Sequence, residues 1–201
     1  LAAALAACGE STEPEAPSKD GVKIVADANA PLGQLPDDVA PRHYRIDLTL
    51  RPDQPRYEGV VEIDLEFKAP KRTIYLHGRD LDVADATARR ADGKTVATAY
   101  AQVHDSGVAR LSFDEELPAG KVTVRLPFKT TYEAQPDALT SMPDGGEKYA
   151  WTQFEAISAR RAFPSFDEPR FKTPYDIRIT ARATDTVVTN TPPLKEEALA
   201  D

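Results

Sequence analysis

The chain has 201 residues, enough for one sizeable hydrophobic core or one core with tails. Its formal net charge of −8 and the lack of any basic stretch exclude a phosphate-neutralising surface, so nucleic acid is not an expected partner. A single cysteine, Cys8, excludes an intramolecular disulfide and a cysteine metal cluster.

Residues 1–8 read Leu-Ala-Ala-Ala-Leu-Ala-Ala-Cys. The run is shorter than the roughly twenty apolar residues that cross a bilayer. It fits the end of a signal-peptide apolar region with its cleavage site. Leu5-Ala6-Ala7-Cys8 resembles the lipobox of bacterial lipoproteins, in which the cysteine is lipidated. On that resemblance residues 1–7 are a signal-peptide remnant and Cys8 is the lipidation site. The implied location is a membrane-anchored lipoprotein of the bacterial cell envelope. The alternative is an alanine-rich fragment with an incidental cysteine. Residues 8–38 are rich in Glu, Pro, Ser, Ala and Asp and have little apolar periodicity. Such composition buries too little surface to offset backbone entropy, so a flexible tether is expected, with Val22 to Val25 as a patch that could touch the domain.

From Val39 the pattern changes to period-two alternation. Residues 43–50 place Tyr44, Ile46, Leu48 and Leu50 on one face. Residues 57–67 set Val61, Ile63, Leu65 and Phe67 against Glu62, Asp64 and Glu66, the alternation of a half-solvated antiparallel strand. Arg51 to Pro55 supplies the turn between them. Further strands are expected over 73–77, 81–90, 95–104, 107–113 and 122–132, broken by turns at Asp92-Gly93, Ser106-Gly107 and Ala119-Gly120. Residues 137–147 read as a surface loop leading into Tyr149-Ala150-Trp151. A strand over 175–181 and the start of another at Val187-Val188 follow. Many short strands with almost no helical period predict an all-β fold, an antiparallel β-sandwich or saddle-like curved sheets, over 39–201 and incomplete at its C-terminal end. His43, His77 and His104 lack the spacing that presents two imidazoles to one zinc and read as strand or loop histidines.

Residues 152–169 hold an amide, a carboxylate, two guanidinium groups and an acidic turn among aromatics. Gln153 and Glu155 are two apart, so on a strand they project to one side and converge on a cation such as a primary ammonium. The plainer reading is a solvent-facing polar strand.

The order Thr-Gln-Phe-Glu, Ala-Arg, Ala-Phe-Pro-x-Phe-Asp-Glu-Pro, Phe-Lys is similar to the N-terminal domain of gluzincin zinc aminopeptidases of the aminopeptidase N type. Pro41-Arg42-His43-Tyr44, Tyr57-Glu58-Gly59 and Ile74-Tyr75-Leu76-His77 resemble earlier landmarks of that domain. The resemblance implies a saddle-like β-domain packed on a thermolysin-like catalytic domain. It implies that Glu155 binds the free α-amino group of a peptide substrate and that Gln153 helps line the first side-chain pocket. Arg160, Asp167, Glu168 and Pro169 are then structural supports, with Arg160 in an ion pair. Ser165 stands where many relatives carry Cys and, with no base nearby in sequence, is not read as a nucleophile.

A zinc peptidase of this kind needs a His-Glu-x-x-His helix, and neither that motif nor a Gly-x-Met-Glu-Asn loop occurs in the chain. No catalytic residue and no metal ligand are therefore assigned here; zinc is expected to belong to the parent protein, with its ligands beyond Asp201, and the fragment alone is expected to be inactive. Expected partners are peptides with a free N-terminus, the protein's own downstream catalytic domain, and a membrane reached through the lipid. The competing reading is a non-catalytic, lipid-anchored β-sandwich that binds a peptide or envelope partner by strand-edge addition.

Overall fold

The computed structural model describes residues 21–199; the signal remnant, Cys8 and the first part of the tether lie outside the described residues. Strands account for nearly all the regular structure. They are β1 (Val39–Thr49), β2 (Arg56–Phe67), β3 (Lys71–His77), β4 (Asp82–Val83), β5 (Thr87–Arg90), β6 (Thr95–Gln102), β7 (Val108–Leu117), β8 (Gly120–Thr131), β9 (Ala138–Asp144), β10 (Glu147–Gln153) and β11 (Tyr175–Thr180). One 3₁₀ turn, Ala159–Arg161, lies between β10 and β11.

Nine strands form one curled sheet in the order β11-β1-β2-β8-β5-β6-β7-β3, with β4 also on β8. The all-β expectation holds, and the pairings are antiparallel except at one end, where β11 runs parallel to β1. The alternation predicted for β1 and β2 fills the concave side. Tyr44 and Ile46 stand opposite Ile63 and Val61, and all four are buried. A bulge between Pro41 and His43 shifts the parity of β1. Val39 and Pro41 therefore face the core ahead of the bulge and Tyr44 and Ile46 after it, which a strict period of two would forbid. Ile74, Leu76, Leu111, Val124, Leu126 and Phe128 from the other strands close the same core. The convex side is charged and paired: Arg45 on β1 donates two 2.8 Å hydrogen bonds to Asp64 on β2.

Four expectations change. The strand over 81–90 is two short ones, because Asp85 takes a left-handed φ of 52° and breaks the run between β4 and β5. The surface loop over 137–147 is mostly a hairpin, since Asp144 pairs with Glu147 across Gly145-Gly146. Both glycines have positive φ, 59° and 91°, as a two-residue hairpin turn of matching twist requires. Val187 and Val188 form no strand and are exposed. Finally, the stretch 25–38 is a strap against the sheet. Val25 donates its N–H to the Gln102 carbonyl at 2.9 Å, and the Asp27 carboxylate accepts from Arg110 at 2.7 Å and from the Tyr75 hydroxyl at 3.0 Å. Leu35 is buried in the core. A few specific anchors outweigh a composition that, averaged, reads as disordered.

Candidate functional site

The hairpin carries the first half of the candidate site. β10 pairs with β9 from Glu147↔Asp144 to Gln153↔Ala138 and has no partner on its other edge among the described residues. Gln153 is its last residue; the chain then turns through residues 155–158, closed by the Ser158 N–H donating to the Phe154 carbonyl at 3.0 Å. Glu155 is therefore on a turn and not on the strand, which corrects the two-residue alternation argued for the pair. The peptide bond from Glu155 to Ala156 is cis. Both side chains are exposed, and neither has a hydrogen-bond or ion-pair partner among the described residues.

The second half is a buried brace behind that turn. Arg160, in the 3₁₀ turn, donates from Nε to the Asp167 carboxylate at 2.9 Å and from Nη2 to the Asp167 carbonyl at 3.1 Å. Its Nη1 reaches the Ser106 carbonyl at 2.8 Å, and its own carbonyl accepts from the Arg79 N–H at 2.8 Å. One guanidinium thus joins the turn between β6 and β7 to the Asp-Glu-Pro segment. The turn must come close: a Cβ on Gly107, whose φ is +84°, would lie 2.9 Å from Arg79 Cβ and 3.0 Å from Arg160 Cδ. Asp167 is held from the other side, its N–H donating to His77 Nδ1 at 3.1 Å. That bond needs a neutral acceptor nitrogen, and burial, helped by the Arg160 charge, pulls the His77 imidazole down to about 3. His77 and Ser165 also exchange backbone hydrogen bonds of 2.7 and 2.8 Å, which tie the brace to the end of β3.

Two tyrosines from the concave face complete the support. Tyr44 accepts the Phe166 N–H at 2.9 Å and Tyr57 donates to the Ala162 carbonyl at 2.9 Å. Burial raises both phenols well above their usual range, so each stays a neutral hydroxyl. Glu168 and Arg170 grip the strap: the Leu35 N–H donates to Glu168 at 2.5 Å and Arg170 Nη2 donates to the Leu35 carbonyl at 2.6 Å. Pro169 occupies the second position of a turn in which the Phe171 N–H donates to the Glu168 carbonyl at 3.0 Å, where its fixed φ is favourable. Arg161 pairs with Glu133 at 2.9 Å and also with Asp137, so the second arginine anchors the loop before β9.

The structure thus brings Arg160, Asp167, Glu168 and Pro169 together as a scaffold and leaves Gln153 and Glu155 bare beside it. Ser165 is buried, and its Oγ has no hydrogen-bond partner among the described residues. Sequence reasoning did not assign His77, Tyr44, Tyr57 or Leu35 to the support of the site. The alternation of residues 43–50 put Tyr44 on the buried face, but no local pattern showed that these side chains hold the brace. Among the described residues no group of three or more His, Cys, Asp or Glu side chains could hold a metal ion. The described residues therefore offer no zinc site.

The described residues form an all-β domain in which a buried brace backs an exposed Gln-x-Glu turn. The profile described as Peptidase M1 N-terminal domain matches residues 40–201. The chain belongs to that family. It is 32% identical over 183 residues to "Aminopeptidase M1-C" of Oryza sativa subsp. japonica, covering 84% of this chain and 20% of the relative. It is 33% identical over 174 residues to "Aminopeptidase M1" of Arabidopsis thaliana, covering 82% and 20%. With "Endoplasmic reticulum aminopeptidase 1" of Homo sapiens it shares 27% over 184 residues, covering 84% and 19%. The chain spans about a fifth of the length of these relatives.

Proposed function

We propose that this domain supplies the substrate-amine clamp of a zinc aminopeptidase that removes single residues from peptide N-termini. The observation that carries the reading is the state of Glu155: an exposed carboxylate without a partner among the described residues, on a turn whose C-terminal flank is fixed by the buried Arg160–Asp167 pair. A bare carboxylate on an ordered turn is prepared to accept charge-assisted hydrogen bonds from an ammonium, each worth about 1.5–3 kcal/mol. The Gln153 amide, on the last residue of β10, can donate or accept beside it and line the first side-chain pocket. The hydrolytic step belongs to polypeptide outside this chain, where the zinc ligands and the general base would reside. The domain's own work is to select a free N-terminus and fix its position.

Partners on this reading are peptides with a free amino terminus and the protein's own catalytic domain. Lipidation of Cys8 would hold the protein at a bacterial envelope membrane; an unmodified Cys8 in the membrane fraction overturns that anchor. The test of the clamp is Glu155→Ala in the full-length enzyme. The expected loss in kcat/KM on free-amine peptides corresponds to about 1.5–3 kcal/mol. Unchanged kinetics with an intact circular dichroism spectrum refute it.

A further inference from the structure

The turn that carries Glu155 leaves the hairpin at Gln153 and returns to it at Arg161. Gln153 is the register partner of Ala138, the first residue of β9. Arg161, the last residue of the 3₁₀ turn, pairs with Asp137, the residue just before Ala138. It also holds the Glu133 carboxylate, with Nε at 3.1 Å and Nη2 at 2.9 Å. Both ends of the turn are therefore pinned to adjoining residues at the root of one strand. That root is held independently of Arg161. The Asp137 N–H donates to Thr140 Oγ1 at 3.2 Å, the Asp137 carbonyl accepts from the same hydroxyl at 3.0 Å, and Ala138 is fully buried. Beside this polar closure the Phe154 ring meets Phe163 edge to face at 5.8 Å.

We infer that Arg161 is a positioning residue for the amine clamp, closing the neck of the Glu155 turn through Asp137 and Glu133. The inference rests on the amine-clamp reading and deepens it. β9 and β10 form a sheet of their own, apart from the nine-stranded sheet. Arg160 fastens the outgoing end of the turn to the larger sheet, through the Ser106 carbonyl and Asp167. It does nothing for the incoming end, which rides on the hairpin. Arg161 turns the other way and joins the two. Without that link the Gln153 amide follows the hairpin and the Glu155 turn follows the brace, so their relative position is no longer set. The Glu133 side chain is only 8% exposed, and solvent screens its pair with Arg161 little. A guanidinium can engage two carboxylates at once through its planar fork, whereas an ammonium is a point charge that holds one of them well.

The experiment is a double-mutant cycle in the full-length enzyme, read as kcat/KM on L-alanine p-nitroanilide. Arg161→Gln, Arg161→Lys and Asp137→Asn are each made in wild type and in Glu155→Ala. Asp137→Asn loosens the neck while keeping the Arg161–Glu133 pair and the Thr140 bonds to the Asp137 main chain, so the test stands even if Arg161→Gln fails to fold. In wild type the expected losses are about tenfold for Arg161→Gln and about threefold for Asp137→Asn; in Glu155→Ala they shrink below about twofold, because residues that act through one another are not additive. Arg161→Lys should recover part of the loss. Losses of the same size with and without Glu155 overturn the inference, since they come from the fold and not through the carboxylate. Undiminished kcat/KM in Arg161→Gln and Asp137→Asn, beside an impaired Glu155→Ala, overturns it as well. A Glu155→Ala enzyme as active as wild type is a separate failure: it refutes the clamp reading, and the positioning role falls with it.

Discussion

Glu168 accepts the backbone N–H of Leu35 at 2.5 Å across 133 residues of sequence, and Arg170 seizes the carbonyl of the same residue at 2.6 Å. Both polar groups of one strap residue are therefore satisfied by the turn that follows the brace. The consequence is mechanical. The segment ahead of β1 and the Asp-Glu-Pro turn form one unit, so whatever precedes the domain is connected to the candidate site by more than the covalent chain.

Leu35→Ala tests that unit. The side chain is 3% exposed, and truncating a buried leucine costs about 2–5 kcal/mol. The expected result is a loss in that range by urea denaturation, with faster amide exchange in residues 25–38 and in the Glu168 turn together. Faster exchange in the strap alone would mean that the two segments are independent.

Gly107 sets how closely the β6–β7 turn approaches Arg160. Gly93 has a similar φ, +87° against +84°, but nothing lies within 4 Å of the Cβ it would gain. Gly93→Ala should therefore cost only the left-handed penalty, about 1–2 kcal/mol. Gly107→Ala should cost clearly more, because the added methyl meets Arg79 Cβ at 2.9 Å and Arg160 Cδ at 3.0 Å. Equal melting temperatures for the two variants would show that the brace yields without cost.

His77 predicts a pH dependence of stability. Its folded-state value is about 3, against 6.5 when exposed, so the unfolded chain binds the extra proton across that window. Stability from this group is complete above about 6.5 and falls as pH drops toward 3, by up to about 1.4 kcal/mol per pH unit. Asp64, held near 2 mainly by its hydrogen bonds from Arg45, adds a separate loss only below its ordinary value of 3.8. His77→Asn, which offers an acceptor for the Asp167 N–H but does not titrate, should flatten denaturation midpoints between pH 4 and 6. A wild-type profile already flat there would contradict a neutral buried His77.

Strand by strand, the legible parts were those in which a local pattern carried the burial. Ile63, Leu65 and Phe67 alternate with acids and are buried as that alternation requires. The β9–β10 hairpin was legible in principle, through Gly145-Gly146, but Pro143 and the polar flanks masked it. Glu155 was found by its motif while its turn was not, because a local turn of this kind leaves no periodic trace. The strap was illegible. Its anchors, Asp27 on Tyr75 and Arg110 and Leu35 on Glu168 and Arg170, are contacts with residues 48 to 135 positions away.

The sequence by itself determined the all-β class, the face of each long strand that is buried, and the residue types at the Gln153 to Pro169 site. Alternation and motif order are local properties, and solvent exclusion enforces them in any fold that buries one sheet face. Tertiary structure alone decided the parallel seating of β11 on β1, the neutral state of His77, and the pairing of Arg160 with Asp167. It also decided that Glu155 stands unpartnered among the described residues. These depend on which distant groups come within hydrogen-bonding distance and how much water is expelled when they do, and neither quantity is written in the spacing of residues along the chain.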